Sequence, residues 1–92
     1  MRLTPEERRR ATALYRALEA AAVRISAGSA AEEAREAAFD VLREQPMIRV
    51  EYLEVVDPTS LQPVNEIRGP VRIAAAVWLG ETRLIDNLLT GR

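Results

Sequence analysis

The sequence predicts an α+β fold: two N-terminal helices followed by a three-stranded antiparallel sheet, with strand 71–79 in the centre. Three observations carry this. Apolar residues recur at helical spacing up to about Pro46, three strand-like runs follow it, and the run Val71–Leu79 is apolar on both parities. Helices and strands are segregated along the chain, which favours a sheet covered by helices over a parallel α/β arrangement.

The first helix starts at Leu3-Thr4-Pro5-Glu6-Glu7. Thr4 can cap, Pro5 suits the first helical position, and Glu7 stands three residues after Thr4, as a capping box requires. Its apolar face runs Ala11, Leu14, Tyr15, Leu18, Ala22, Ile25, and Gly28 ends it in the left-handed position. Ser29 with Glu32 reads as a second capping box opening the second helix. The buried face of that helix is expected at Ala34, Ala38, Val41 and Leu42, with Phe39 at the margin, and Pro46 stops it.

Met47–Val56 reads as the first strand, with Ile48, Val50, Tyr52 and Val56 on one parity and Arg49, Glu51, Leu53 and Val55 on the other. Asp57-Pro58-Thr59-Ser60 is a turn. The segment to Pro70 is long for a connection, so it is either functional or folded as a short turn of its own. In Val71–Leu79, Val71, Ile73, Ala75, Val77 and Leu79 share one face and Ala74, Ala76 and Trp78 the other, so the strand should be interior and covered on both faces. Its alanines also allow a helix, but Gly80 and the Val/Ile content favour strand. Gly80-Glu81 reads as a type II′ hairpin loop, with Thr82–Asn87 as the returning strand.

Composition narrows the function. The 92 residues allow one domain, and 13 basic against 14 acidic residues give a net charge of −1, which argues against a nucleic-acid binder working through bulk charge. Cysteine and histidine are absent, which removes thiol chemistry, thiolate metal sites and the commonest general base. Every basic residue is arginine, as in GC-rich coding, so Schiff-base chemistry and a P-loop lysine are excluded as well. No apolar run of membrane-spanning length occurs and the start is too charged for a signal peptide, so a cytoplasmic location is expected.

Each remaining candidate has a plain structural reading. Arg8-Arg9-Arg10 could bind phosphate but reads better as solvated helix surface, and Tyr15 and Tyr52 could stack on a base but read better as core or core rim. Trp78 reads as core with its N–H partnered. Glu51, Glu54 and Asp57 resemble a carboxylate row, yet Glu51 and Glu54 should point to opposite faces, so no metal is expected there. Arg83 and Asp86 also fall on opposite faces, and each should serve a cross-strand neighbour or end the strand.

Three ordered stretches nevertheless resemble the pantothenate synthetase (pantoate–β-alanine ligase) family. Leu3, Pro5, Glu7 and Arg8 match its helix start. Tyr52, Leu53 and Asp57 match its "DYLEIVD" strand, with Glu51 in place of the first aspartate. Gly80, Arg83, Leu84, Ile85, Asp86 and Asn87 match its closing hairpin. The resemblance covers essentially the whole chain but only the family's C-terminal domain. The N-terminal nucleotide-binding domain, with its histidine-containing motif, is missing. Residues 1–92 are thus expected to be a single lid domain whose partner is that missing domain.

The resemblance implies a parent ligase that uses ATP and magnesium to condense pantoate with β-alanine through a pantoyl adenylate, releasing pyrophosphate and AMP. It implies that this chain alone binds no cofactor, is inactive and is monomeric. Arg2, nearest the missing part, is the one residue it would place beside nucleotide. The competing reading is a small interaction module that dimerises or binds a partner through an edge strand, with Arg49–Val55 the expected edge. A DNA-binding helical pair is disfavoured by the charge and by the β half.

Overall fold

The computed structural model describes residues 4–91, with every side chain but that of Glu6. Two helices, α1 (Pro5–Ser26) and α2 (Ala31–Arg43), precede three strands, β1 (Ile48–Val56), β2 (Val71–Leu79) and β3 (Thr82–Thr90). The sheet is antiparallel in the order β1-β2-β3, with the 71–79 strand central as expected. Both helices pack on one face of it, α1 over β2 and β3 and α2 over β1.

The start of α1 follows the capping signals. Thr4 is extended, its hydroxyl accepts the Glu7 N–H at 3.1 Å, and its own N–H donates to Glu7 Oε1 at 2.9 Å. At the other end Gly28 takes φ +96°, its N–H bonds the Ile25 carbonyl, and the Ser29 N–H bonds the Arg24 carbonyl at 2.9 Å. That pair of bonds is a Schellman closure. It corrects the expected start of the second helix: Ser29 completes α1, and α2 begins two residues later from Ala30, which makes no side-chain cap bond.

The stripe of α1 buried in the core shared with α2 and the sheet is Leu14, Ala17, Leu18, Ala21 and Ile25. Tyr15, expected at the core or its rim, lies at the edge of this stripe and is 47% exposed, because a three-stranded sheet is too narrow to cover it. On α2, Ala31, Ala34, Ala38 and Leu42 are buried, with Phe39 and Val41 packed partly against them.

The inner face of β2 is Val71, Ile73, Ala75, Val77 and Leu79, all buried. Its other face corrects the expectation of cover on both sides. Among the described residues no second layer lies there, and Arg72, Ala74 and Trp78 are half-buried. Alanines make this possible: Ala76 is fully buried between its register partners Tyr52 and Ile85, so the flanking strands do the covering.

β1 departs from strict alternation. Val50 pairs with Val77 and Tyr52 with Ala76, leaving Glu51 as the extra residue of a β-bulge. Ile48 and Val50 before it, and Leu53 and Val55 after it, therefore all face the helices. Tyr52 and Val56 turn to the outer face, which corrects the single-parity reading. β3 also runs three residues further than expected, keeping register to Thr90 opposite Val71. Glu81 has no positive φ while Gly80 has φ +62°, the pattern of a II′ turn.

The 57–70 connection is tied back onto β1. Asp57 Oδ1 accepts the N–H groups of Thr59 and Ser60 at 2.8 Å each, the Val64 N–H reaches the Val55 carbonyl, and Pro63 bridges to Val56. Ile67 plugs into the core. Among the described residues no buried side-chain nitrogen or oxygen lacks a partner.

Candidate functional site

The bulge gathers the chain's best-organised polar group on the outer face. Glu51 Oε1 accepts the Trp78 indole N–H at 2.9 Å and Arg83 Nε at 2.9 Å, while Glu51 Oε2 accepts Arg83 Nη2 at 2.7 Å. The pair is a two-pronged guanidinium–carboxylate fork that spans from β1 to β3 over the central strand. Arg49 lies over the Trp78 ring, 5.9 Å from its centroid. Further along the same face Arg72 donates to Asn87 Oδ1, from β2 to β3.

Several sequence expectations change here. Trp78 is half-buried on the open face instead of in the core, though its N–H is partnered as expected. Glu51 and Glu54 lie on the same face, because Glu51 is itself the extra residue of the bulge and steps out of the strand's alternation. Arg83 does not pair with Asp86, as expected, and its cross-strand partner is Glu51, on β1 instead of the adjacent β2. Asp86 caps the backbone N–H of its own neighbour Asn87 at 2.8 Å.

The family-motif residues thus divide by role. Tyr52, Arg83, Ile85 and Asn87 stand on the outer face, while Leu53, Leu84 and Asp86 are on the inner parity. Asp57 closes the loop and Gly80 the hairpin. Pro5, Glu7 and Arg8 are at the start of α1, where Glu7 Oε2 comes within 3.5 Å of the Thr82 hydroxyl on the inner side of the hairpin. Arg2 and Leu3 lie outside the described residues. Sequence reasoning missed the Glu51–Trp78–Arg83 group. A signal existed: Ile48/Val50 and Leu53/Val55 are apolar on opposite parities, a phase slip that marks a bulge.

Both free edges of the sheet are guarded. Arg35 of α2 donates Nε to the Leu53 carbonyl at 2.9 Å and lies 3.6 Å from Glu54, closing the β1 edge beside the bulge. On β3 the hairpin register turns the Asn87 N–H away from β2, and the Asp86 carboxylate occupies it. Charges and bulges at these positions oppose pairing with another strand.

The fork shifts the acid–base balance of its members. Hydrogen bonds from Arg83, then from Trp78, hold the Glu51 carboxyl below its ordinary 4.5. The Ser60 and Thr59 N–H groups do the same for Asp57 against its ordinary 3.8. A carboxyl whose folded pKa is depressed contributes stability that is present above its unfolded pKa and lost as pH falls through the folded one. Acid titration should therefore weaken the fold below the ordinary carboxylate range. Glu51→Gln should flatten that part of the profile while leaving its slope above pH about 6 unchanged, measured as urea midpoints against pH.

The chain matches the pantoate-β-alanine ligase family model over residues 1–89. It belongs to that family. It is 38% identical over 91 residues to the pantothenate synthetase of Pelotomaculum thermopropionicum, covering 98% of this chain and 32% of that protein. It is 48% identical over 92 residues to the bifunctional pantoate ligase/cytidylate kinase of Synechococcus elongatus, covering 18% of that one. The crystal structure of pantothenate synthetase from Thermus thermophilus superposes with a TM-score of 0.88 at 40% identity, over 94% of this chain and 31% of that chain. The chain thus spans about a third of the length of the pantothenate synthetases it matches.

Magnesium does not fit these residues. Among those described no group of three or more carboxylates converges, and the outer-face carboxylates are engaged by arginines, Glu51 by Arg83 and Glu54 by Arg35.

Proposed function

We propose that residues 1–92 are the lid domain of an ATP-dependent, AMP-forming ligase that joins pantoate to β-alanine, working against a separate nucleotide-binding domain of the same enzyme in the cytoplasm. In that reaction the pantoate carboxylate attacks the α-phosphorus of ATP and pyrophosphate leaves. The β-alanine amine then attacks the acyl carbon, loses a proton, and AMP departs. The intermediate is a hydrolysable acyl adenylate. A lid contributes by excluding water from it and by completing the surroundings of the reacting groups on closure.

The observation that carries this reading is the match, over nearly the whole of this chain, to about a third of each pantothenate synthetase. The side chains agree with a covering role. The sequence has no histidine, cysteine or lysine to move a proton near neutrality. The Glu51–Arg83 fork, with Trp78, holds the Glu51 carboxylate in a fixed structural contact.

The guarded edges weigh against the edge-strand interaction module, whose expected edge, Arg49–Val55, is the one interrupted by the bulge and closed by Arg35. The purified chain is expected to be monomeric by light scattering and to give no pantoate-dependent ATP–pyrophosphate exchange above a protein-free blank. Exchange by the pure chain refutes the lid reading, and a stable dimer favours the module.

A further inference from the structure

Among the described residues, the outer face of the sheet carries positioned but unmatched groups. Arg49 rests only on the Trp78 ring and Arg72 on the neutral amide of Asn87, so among the described residues neither guanidinium meets a carboxylate. The same face exposes apolar side chains of β3 that gain nothing from water: Ile85 is 59% and Leu89 55% exposed. A groove of about 290 Å³, bordered by Arg72 and Glu54, is lined by Tyr52, Val56, Leu61, Pro63 and Ala74. Leu61 is held there, 61% exposed, at φ +62°, a conformation leucine rarely adopts, by the turn that Asp57 ties down. The opposite face is covered by helices and both edges are guarded.

We propose that this outer face is the surface that seats on the nucleotide-binding part of the same ligase, the two thirds of the family's length that this chain does not span. The seat presents carboxylates to Arg49 and Arg72 and an apolar side chain to the Leu61 groove. The inference rests on the lid reading and adds to it which face of the lid makes contact. Charge supports it, because the face carries Arg49, Arg72 and Arg83 against Glu51 and Glu54, although the chain as a whole is net −1.

The test is a covalent chimera in which this chain replaces the matching third of the Thermus thermophilus enzyme, with hydroxyl-radical footprinting of the chimera and of the chain alone. Tyr52, Leu61, Ile85 and Leu89 should label at least about threefold more slowly in the chimera, as burial in an interface core requires. Tyr15 and Val23, exposed on α1, should label equally in both. The double substitution Ile85→Glu with Leu89→Glu should lower pantothenate formation by about tenfold or more, and Val23→Glu should not. A folded but inactive chimera overturns the lid reading itself. An active chimera whose outer face labels as fast as in the chain alone leaves the lid reading standing and overturns this assignment, and so does protection confined to Tyr15 and Val23.

Discussion

Shortening Leu18 to alanine is expected to destabilise the chain by about 2–5 kcal/mol, read as a lower urea midpoint at unchanged slope. Leu18 is fully buried in the single core between α1 and the sheet. Its neighbours along the helix stripe are Ala17 and Ala21, too short to reach into the space it would leave. A chain of 92 residues has a total stability of roughly 5–14 kcal/mol, so this one truncation removes a large share and can unfold it near body temperature. The equivalent change at Val23, on the exposed side of the same helix, should shift the midpoint by less than about 0.5 kcal/mol. A small effect at Leu18 would mean that α1 is not the element holding the sheet.

Deleting Glu54 should be far more damaging than deleting Glu51, three residues earlier on the same strand. Removing Glu51 erases the bulge and leaves Val50, Tyr52, Leu53 and Val55 on the faces they already occupy. What is lost is the fork to Arg83 and the acceptor for Trp78. Removing Glu54 turns Val55 outward and brings Val56 in, and it breaks the pairing with Ile73 and Arg72. Exchanging a fully buried valine out of the core and disrupting the register there should cost about 3 kcal/mol or more. Near-ultraviolet circular dichroism and urea unfolding of the two deletions decide it: similar losses in both would contradict the bulge at Glu51.

Most of the architecture was legible because the signals for it are local. The capping box at Thr4, the left-handed Gly28, the II′ turn at Gly80 and the double-sided apolar run of β2 each depend on a few adjacent residues. What could not be read depends on partners distant in sequence. The bulge at Glu51 changes which β1 residues are buried. Its reason is the spacing needed for one carboxylate to reach both Trp78 and Arg83, 27 and 32 residues away. Tyr15 misled for a related reason, since helical spacing gives the direction of a side chain and not the width of the sheet beneath it. Ser29 misled because one residue can satisfy the end of one helix or the start of the next, and the glycine before it decided the matter.

The arginine on the Leu53 carbonyl and the aspartate on the Asn87 N–H also bear on how the protein behaves at high concentration. Fibril growth needs a row of open backbone groups on which an incoming chain can be templated, and these two contacts interrupt that row at both margins of the sheet. Concentrated solutions should therefore stay clear and negative for thioflavin T until the fold itself is lost.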